Sequence, residues 1–411
     1  MLAHFFTRQA GPWVHASTAE CQASLPPTCQ EGPAARPARA ALSGRLRERI
    51  ARDFHGRLRE EWGGRFVTHG RSPGPQAVRL DGNDYLSLSA NERIVGAQIE
   101  SLRRNRNVVV QSGVFHLEDS PTHRLEQALA AHVDAEGALL CQSGYAANVG
   151  LLQVIADADT PVYIDNLAHM SLWEGIRAAG ATARPFRHND PAFLARAMRR
   201  HGPGIVVVDT VYSITGAVCP LREIIEVAEA HGSMVVADES HSLGTHGPQG
   251  RGVCAQLGLS HRVHFITASL AKAFAGRGGF LTLPQELRYY LMCHSFPSIF
   301  SSALLPHEIE GLRATLDVVR EADGARARLR AVTARVRSRL AALGYPVANG
   351  TEQIVGLEVG LEADTLALRD AMEARGVFGA VFVAPATPRD RSVLRMTLHA
   401  DLTEAEIAHV E

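Results

Sequence analysis

The chain has 411 residues, 46% of them hydrophobic and 21% charged, with 42 basic residues against 43 acidic ones. This is the balance of a globular protein with a sizeable core, and it excludes a chain that is disordered throughout. A formal net charge of -1 leaves no basic excess to displace counterions from phosphate, so nucleic acid is not an expected partner.

Residues 1–41 carry no acid before Glu20 and are rich in Pro, Ala, Gly and Gln, and they read as a poorly ordered extension or an over-long start. No basic stretch followed by an apolar run opens the chain, and no apolar run approaches the roughly 18 to 20 residues that cross a bilayer. Membrane insertion is not expected, and the cytoplasm is the expected compartment. The six cysteines (Cys21, Cys29, Cys141, Cys219, Cys254, Cys293) show no C-x-x-C spacing and no His at zinc-ligand intervals. They read as reduced, mostly buried thiols, with no metal site.

A second segment, 42–92, opens with Leu42, Leu46, Ile50, Phe54, Leu58 and Trp62 at every fourth position, which predicts one helix with an apolar stripe, stopped at Gly63 and Gly64. Such a stripe packs on its own domain or on a partner subunit. Over 93–305, apolar runs near 138–142, 161–165, 204–209, 233–238, 263–268 and 279–283 alternate with helical patterns. Ile205 to Val208 and Met234 to Ala237 are continuous apolar runs ending in Asp209 and Asp238, as in strands buried on both faces. The expectation is an α/β fold with a mostly parallel sheet and a ligand at the carboxyl ends of its strands. From 306 to 411, a helical stretch to about 342 and short strands near 353–359, 379–383 and 393–398 predict a smaller α+β domain.

Forty-one of the 42 basic residues are arginine, and the one lysine is Lys272. A chain of this size carries roughly twenty or more lysines on average. Drift from Lys to Arg accounts for the losses but not for the survivor. A guanidinium cannot deprotonate and attack a carbonyl, so the retained amine is a candidate for Schiff-base chemistry. Small residues surround it in Ser269-Leu270-Ala271-Lys272-Ala273-Phe274-Ala275-Gly276, leaving room for a bulky cofactor aldehyde, and Ser269 offers a hydroxyl and an amide to a phosphate. A surface lysine in an Ala-rich turn is the competing reading.

Thirty-four positions upstream, the strand ending at Asp238 leads into Asp238-Glu239-Ser240-His241. An acid there suits a pyridine nitrogen kept protonated, with His241 near the ring hydroxyl. Metal ligation and turn capping compete for the same spacing. Ser143-Gly144-Tyr145 lies between a strand and a helix start, where backbone amides form a phosphate cradle and Gly144 permits close approach. A dinucleotide reading fails because no G-x-G-x-x-G occurs there. His169, after the strand ending at Asp165, is placed to stack on a cofactor ring or to be a satisfied core histidine.

This ordered series, Ser143-Gly144-Tyr145, His169, Ser213, Asp238 with His241, and Ser269 with Lys272, resembles the α-oxoamine synthases. These are pyridoxal 5'-phosphate (PLP) enzymes of the aspartate-aminotransferase-like fold, fold type I, and the resemblance runs over roughly residues 80 to 400. It implies Lys272 as Schiff-base lysine and proton carrier, Asp238 on the pyridine nitrogen, His241 and Ser213 near the ring oxygen, and His169 stacked on the ring. Ser143, Gly144, Tyr145 and Ser269 would hold the phosphate. Arg395, with Asn83 nearby, would grip the amino-acid carboxylate. Ser301 and Ser302 would reach the phosphate of a neighbouring subunit, which implies a homodimer with shared sites.

The stretch Gln111-Ser112-Gly113-Val114-Phe115-His116 lacks the Ser-Arg pair usual in the biotin-pathway and aminolevulinate enzymes, and Lys272 is flanked by alanines rather than glycines. In these respects the sequence is similar to the quorum-sensing autoinducer synthases. The resemblance therefore implies an acyltransferase that joins an α-amino acid or related donor to a fatty acyl-CoA, giving a long-chain α-amino ketone. The alternatives are a biosynthetic synthase such as 8-amino-7-oxononanoate synthase, or a PLP-binding protein without activity.

Overall fold

The computed structural model describes residues 40–67, 70–105, 109–347 and 352–411. Most of the extension expected at 1–41, with Cys21 and Cys29, lies outside the described residues. The chain divides into two compact units at residue 51. The described part of the first is a short helix, Gly44–Ile50, capped by Ser43, whose Oγ accepts from Leu46 N at 3.3 Å, and the helix buries no residue.

The single helix expected from Leu42 to Trp62 is corrected here: α-helix covers Gly44–Ile50, and Ala51–Glu61 winds as a wider π-helix. An apolar repeat of four exceeds the 3.6 residues of an α-turn, so a straight α-helix lets the stripe drift out of line. Of the stripe, Leu58 and Trp62 are buried, packed with Leu366 and Val383, while Leu42, Ile50 and Phe54 are exposed. Trp62 Nε1 donates to Glu362 Oε2 at 2.7 Å, and Arg57 grips the same carboxylate with two bonds of 2.9 and 2.6 Å. Gly63 and Gly64, both at positive φ, end the segment.

Twelve strands follow among the described residues of the second unit: β1 (Val78–Arg79), β2 (Gly137–Cys141), β3 (Pro161–Asp165), β4 (Thr182–Phe186), β5 (Ile205–Asp209), β6 (Met234–Asp238), β7 (Phe265–Ser269), β8 (Gly279–Leu283), β9 (Ile354–Gly360), β10 (Val377–Phe378), β11 (Ala380–Phe382) and β12 (Ser392–Thr397). Seven of them form one sheet in the order β2-β8-β7-β6-β5-β3-β4, in which β8 alone runs antiparallel to its neighbours. Six of these strands stand where the apolar runs predict them. The seventh, β4, has no signal in Thr-Ala-Arg-Pro-Phe; it is an edge strand, where Pro185 is tolerated and little side chain is buried.

Residues of the central strands alternate between two cores. Tyr163, Val206, Val208, Val235 and Ala237 face one cluster, and Val162, Ile164, Ile205, Val207 and Val236 face the other. Both faces are therefore covered, which explains why β5 and β6 read as unbroken apolar runs. Full burial of each such valine or isoleucine contributes about 1.5 to 3 kcal/mol.

A second sheet, β11-β12-β9, is antiparallel, with β12 wholly buried and the helix Glu362–Ala374 packed on it. The segment before the large sheet is tied to this one. β1 pairs with β10, Thr397 N donates to Leu80 O at 2.7 Å, and Ala400 N donates to Tyr85 O at 2.9 Å. These bonds carry Asn83 and Tyr85 to Arg395. The loop after β5 also reaches this sheet, and a Cβ on Gly356 would stand 2.5 Å from Ile214 O. Glycine at 356 is what lets Ile214 approach β9, next to Ser213 and opposite Arg395.

Candidate active site

The carboxyl ends of β2, β3, β5, β6 and β7 open onto one cleft of about 620 Å³, counted to its open mouth. It is lined by Ser143, Gly144, Tyr145, His169, Asp238, His241, Ser269 and Lys272, eight of the residues singled out in the sequence. Asn148, Ser171, Asp209, Val211 and Ser240 complete the lining. Each follows from topology: parallel strands end on one side, so the residues just after them converge.

At the β2 turn, Ser143 caps the helix Gly144–Ile155, its Oγ accepting from Ala146 N at 3.0 Å. The first helical amides, Gly144 and Tyr145, have no intrahelical acceptor, so this end offers N–H donors and a positive dipole to an anion. The helix start is pressed against β7 and β8. A Cβ on Gly144 would lie 2.7 Å from Ser269 Cβ, and one on Gly279 would collide with Gly144 N. Ser269 N donates to Ser240 Oγ at 2.8 Å, so the amide expected to serve a phosphate is engaged, and the hydroxyl is what Ser269 offers the cleft.

Asp238, 4% exposed, accepts from Ser240 N at Oδ1 (2.8 Å) and from Asn148 Nδ2 at Oδ2 (2.6 Å). The same Asn148 nitrogen lies 2.8 Å from Ser171 Oγ, which lies 2.8 Å from His169 Nδ1. Asn148 and Ser171 were not singled out by sequence reasoning. Asn148 stands four residues after Gly144, one helical turn along the same face, which is the signal that identifies it. Asp209 sits opposite Asp238 across β5 and β6, and burial, reinforced by Asp238, raises its carboxyl well above the ordinary range. Burial beside a second acid favours the protonated form of Asp209.

Lys272 is half-buried, and burial first, then Arg395, lower its ammonium pKa, opposed by Asp238. Desolvation in the cleft also lowers His169, with Asp238 opposing and Lys272 adding to the effect. His241 is held far below the usual imidazole range by burial, then by Lys272, Arg395 and His169.

Arg395, 6% exposed, projects from β12. Its Nη1 donates to Ser213 O at 2.9 Å, its Nη2 to Asn83 Oδ1 at 3.3 Å, and its guanidinium carbon lies 4.6 Å from the Phe382 ring centroid. Among the described residues no carboxylate forms an ion pair with it, and its buried Nε has no partner. A buried guanidinium in this state can accept an anion, because isolated burial of charge is costly. Ser213 thus meets Arg395 through its carbonyl rather than lining the cleft.

Ser301 and Ser302 lie outside the cleft of their own chain. Both are exposed; Ser301 Oγ donates to Pro297 O at 2.6 Å, and Ser302 bridges Ser112. Among the described residues, no group of three or more His, Cys, Asp or Glu is arranged to hold a metal, and no helix is long and apolar enough to cross a membrane.

These groups fit PLP. The open helix N-terminus matches a phosphate, each Asp238 oxygen retains a lone pair for a protonated pyridine nitrogen, and the only side-chain amine of the chain faces the same cleft.

The pattern of the family "Aminotransferase class I and II" matches residues 75–410. The CAI-1 autoinducer synthase of Vibrio campbellii is 47% identical over 341 residues, covering 83% of this chain and 86% of that protein. The 8-amino-7-oxononanoate synthase of Anaeromyxobacter dehalogenans is 35% identical over 339 residues, covering 82% and 85%. Among solved structures, serine palmitoyltransferase from S. paucimobilis superposes with a TM-score of 0.78 at 26% identity, covering 81% of this chain and 85% of that one. Fold and cleft are those of a PLP-dependent transferase of fold type I. The chain belongs to the aminotransferase class I and II family and, within it, to the α-oxoamine synthases.

Proposed function

We propose that the protein condenses an α-amino acid, or a related amino donor, with a fatty acyl-CoA, releasing CoA and carbon dioxide and forming a long-chain α-amino ketone, the precursor of an α-hydroxyketone quorum-sensing signal. The observation that carries this reading is Arg395, a buried cation that forms no ion pair among the described residues, beside the cleft that holds Lys272. The 47% identity to an autoinducer synthase supports the signal-forming branch of the family.

Bound PLP supplies an electron-poor ring that stores the electron pair left when a bond at the donor's α-carbon breaks. The rest is done by the chain. Lys272, its amine made easier to deprotonate by burial and by Arg395, takes the α-proton and returns one after carbon dioxide leaves. Asp238, braced by Asn148 and the Ser240 amide, would stand opposite the ring nitrogen. His169 would cover the ring face and His241 would meet the ring oxygen, while Ser213, outside the cleft lining, would act through its carbonyl on Arg395. Ser143, the amides of Gly144 and Tyr145, and the Ser269 hydroxyl hold the phosphate. Arg395 and Asn83 take the carboxylate and so orient the bond that breaks.

We also propose a cytoplasmic homodimer in which Ser301 and Ser302 reach the partner's phosphate, and a division of the chain into 42–92, a PLP-binding domain 93–305 and a C-terminal domain 306–411. The exposed Phe296 and Phe300 just before these serines support a covered position for this segment in the assembly.

The test is to supply purified protein with decanoyl-CoA and pimeloyl thioesters in parallel, against a panel of amino donors, and to identify products by mass spectrometry. A long-chain amino ketone from decanoyl-CoA is expected. Preference for the pimeloyl thioester makes it an 8-amino-7-oxononanoate synthase, and no CoA release from any thioester makes it a PLP-binding protein without this activity.

A further inference from the structure

The hydroxyl of Tyr85, a side chain 1% exposed, has two polar neighbours. His241 Nδ1 lies at 2.7 Å and Asn83 Oδ1 at 3.3 Å. Burial raises the phenol pKa, so Tyr85 keeps its single proton and can give it to only one of the two. The distances decide. An O–H donor at 2.7 Å makes a full hydrogen bond, whereas 3.3 Å is weak, and Asn83 Oδ1 already accepts from Arg395 Nη2.

We infer that Tyr85 is a positioning residue that fixes His241 in the tautomer with its proton on Nε2. If Nδ1 accepts from Tyr85, its lone pair is used there, and a neutral ring must carry its proton on the other nitrogen. The ring is neutral because burial and the cations Lys272 and Arg395 oppose a second proton. No partner for Nε2 occurs among the described residues, and His241 lines the cleft. His241 therefore presents a donor, not an acceptor, to whatever occupies the cleft. A ring oxygen bearing negative charge needs a donor, so Tyr85 sets the polarity of the contact; this last step rests on the proposed place of His241 at the ring oxygen. A buried phenol at this position is otherwise hard to explain by packing, since phenylalanine would fill the same volume without a polar atom to satisfy.

The experiment is nitrogen NMR of ¹⁵N-histidine-labelled full-length protein, measured without and with PLP, with the His241 signals identified by their loss in His241→Gln. In the unaltered protein, Nδ1 is expected at the shift of an unprotonated ring nitrogen and Nε2 at that of a protonated one, in both samples. Tyr85→Phe should move both shifts, as the proton redistributes to Nδ1. Asn83→Ala should leave them in place, since the weaker acceptor does not hold the Tyr85 proton. A protonated Nδ1 in the unaltered protein, or an unchanged pattern in a folded Tyr85→Phe, overturns the inference. So does an Asn83→Ala variant that switches the tautomer. If Tyr85→Phe does not fold, the spectra of the unaltered protein and of Asn83→Ala still decide. Turnover of Tyr85→Phe should fall roughly tenfold with the donor KM little changed, as expected for one lost buried hydrogen bond that orients rather than binds. The measurement without PLP is independent of the proposed reaction, so an intact tautomer pattern in a protein that transfers no acyl group would overturn that reading alone.

Discussion

Asn148 Nδ2 donates to Asp238 Oδ2 over 2.6 Å, so this buried acid of the cleft is held by a neutral amide and not by a cation. A neutral brace fixes the carboxylate without cancelling its charge, which leaves that charge to act on a ring nitrogen. Asp238→Asn keeps the shape and removes the anion. The variant is expected to bind PLP but to slow removal of the donor's α-proton by orders of magnitude, because the ring nitrogen loses the partner that favours its protonated form. Solvent-deuterium incorporation into the amino donor measures this, and unchanged incorporation contradicts the role.

Lys272 is the only side-chain amine in the sequence, which makes its labelling unambiguous. Borohydride reduction of the protein with PLP should fix one pyridoxyl group per chain, found on the peptide containing Lys272. Lys272→Arg should lose both the label and turnover, since a guanidinium neither deprotonates nor forms the bond. Label found only on the N-terminal amine of an active variant refutes the assignment.

Much of this was legible in the sequence because strands buried on both faces write themselves as apolar runs. Ile205 to Val208 and Met234 to Ala237 locate the sheet centre, and the acids that end them, Asp209 and Asp238, locate the cleft. The order Ser143, His169, Asp238, Lys272 follows from one chain visiting successive strand ends. What stayed hidden depended on contacts between distant segments. Tyr85 meets His241 across 156 positions, and Arg395 meets Ser213 across 182, neither separation leaving any periodic trace. Edge strand β4 gave no signal because little of it is buried, and the π-helical turns of Ala51–Glu61 gave none because an apolar repeat of four was read as an ordinary helix.

His132 stands away from the cleft and gives a stability test. It is 3% exposed, and burial, then the guanidinium of Arg320, lower its pKa to about 4, opposed by the Gly250 backbone. The unfolded chain binds a proton at about 6.5 and the folded chain only near 4, so the unfolded state holds more protons between these values. Stability from this group is complete above pH 6.5 and falls as the pH drops toward 4, by about 3 kcal/mol at most. His132→Gln should flatten the decline of Tm between pH 6.5 and 4 relative to the unaltered protein. An equal decline in both proteins would show that folding does not lower the His132 pKa.

Arg395 separates substrate binding from cofactor binding. Its two terminal nitrogens hold Ser213 O and Asn83 Oδ1, and these weak neutral acceptors are what a donor carboxylate would displace or join. Arg395→Lys keeps a positive charge but replaces a planar fork with a point ammonium, which cannot address two oxygens at once. The absorbance of the PLP-bound protein should be unchanged, because Arg395 lies on the small-sheet side, against the Phe382 ring. The apparent affinity for the amino donor should weaken by about thirtyfold to a hundredfold, corresponding to about 2 to 3 kcal/mol for a lost charge-assisted contact. The acyl-CoA constant should barely move. Titrating the PLP absorbance with the amino donor, and separately measuring the acyl-CoA KM, distinguishes the two. If the variant takes up the donor normally and fails only with acyl-CoA, the guanidinium serves the thioester substrate, and the carboxylate is held by other groups.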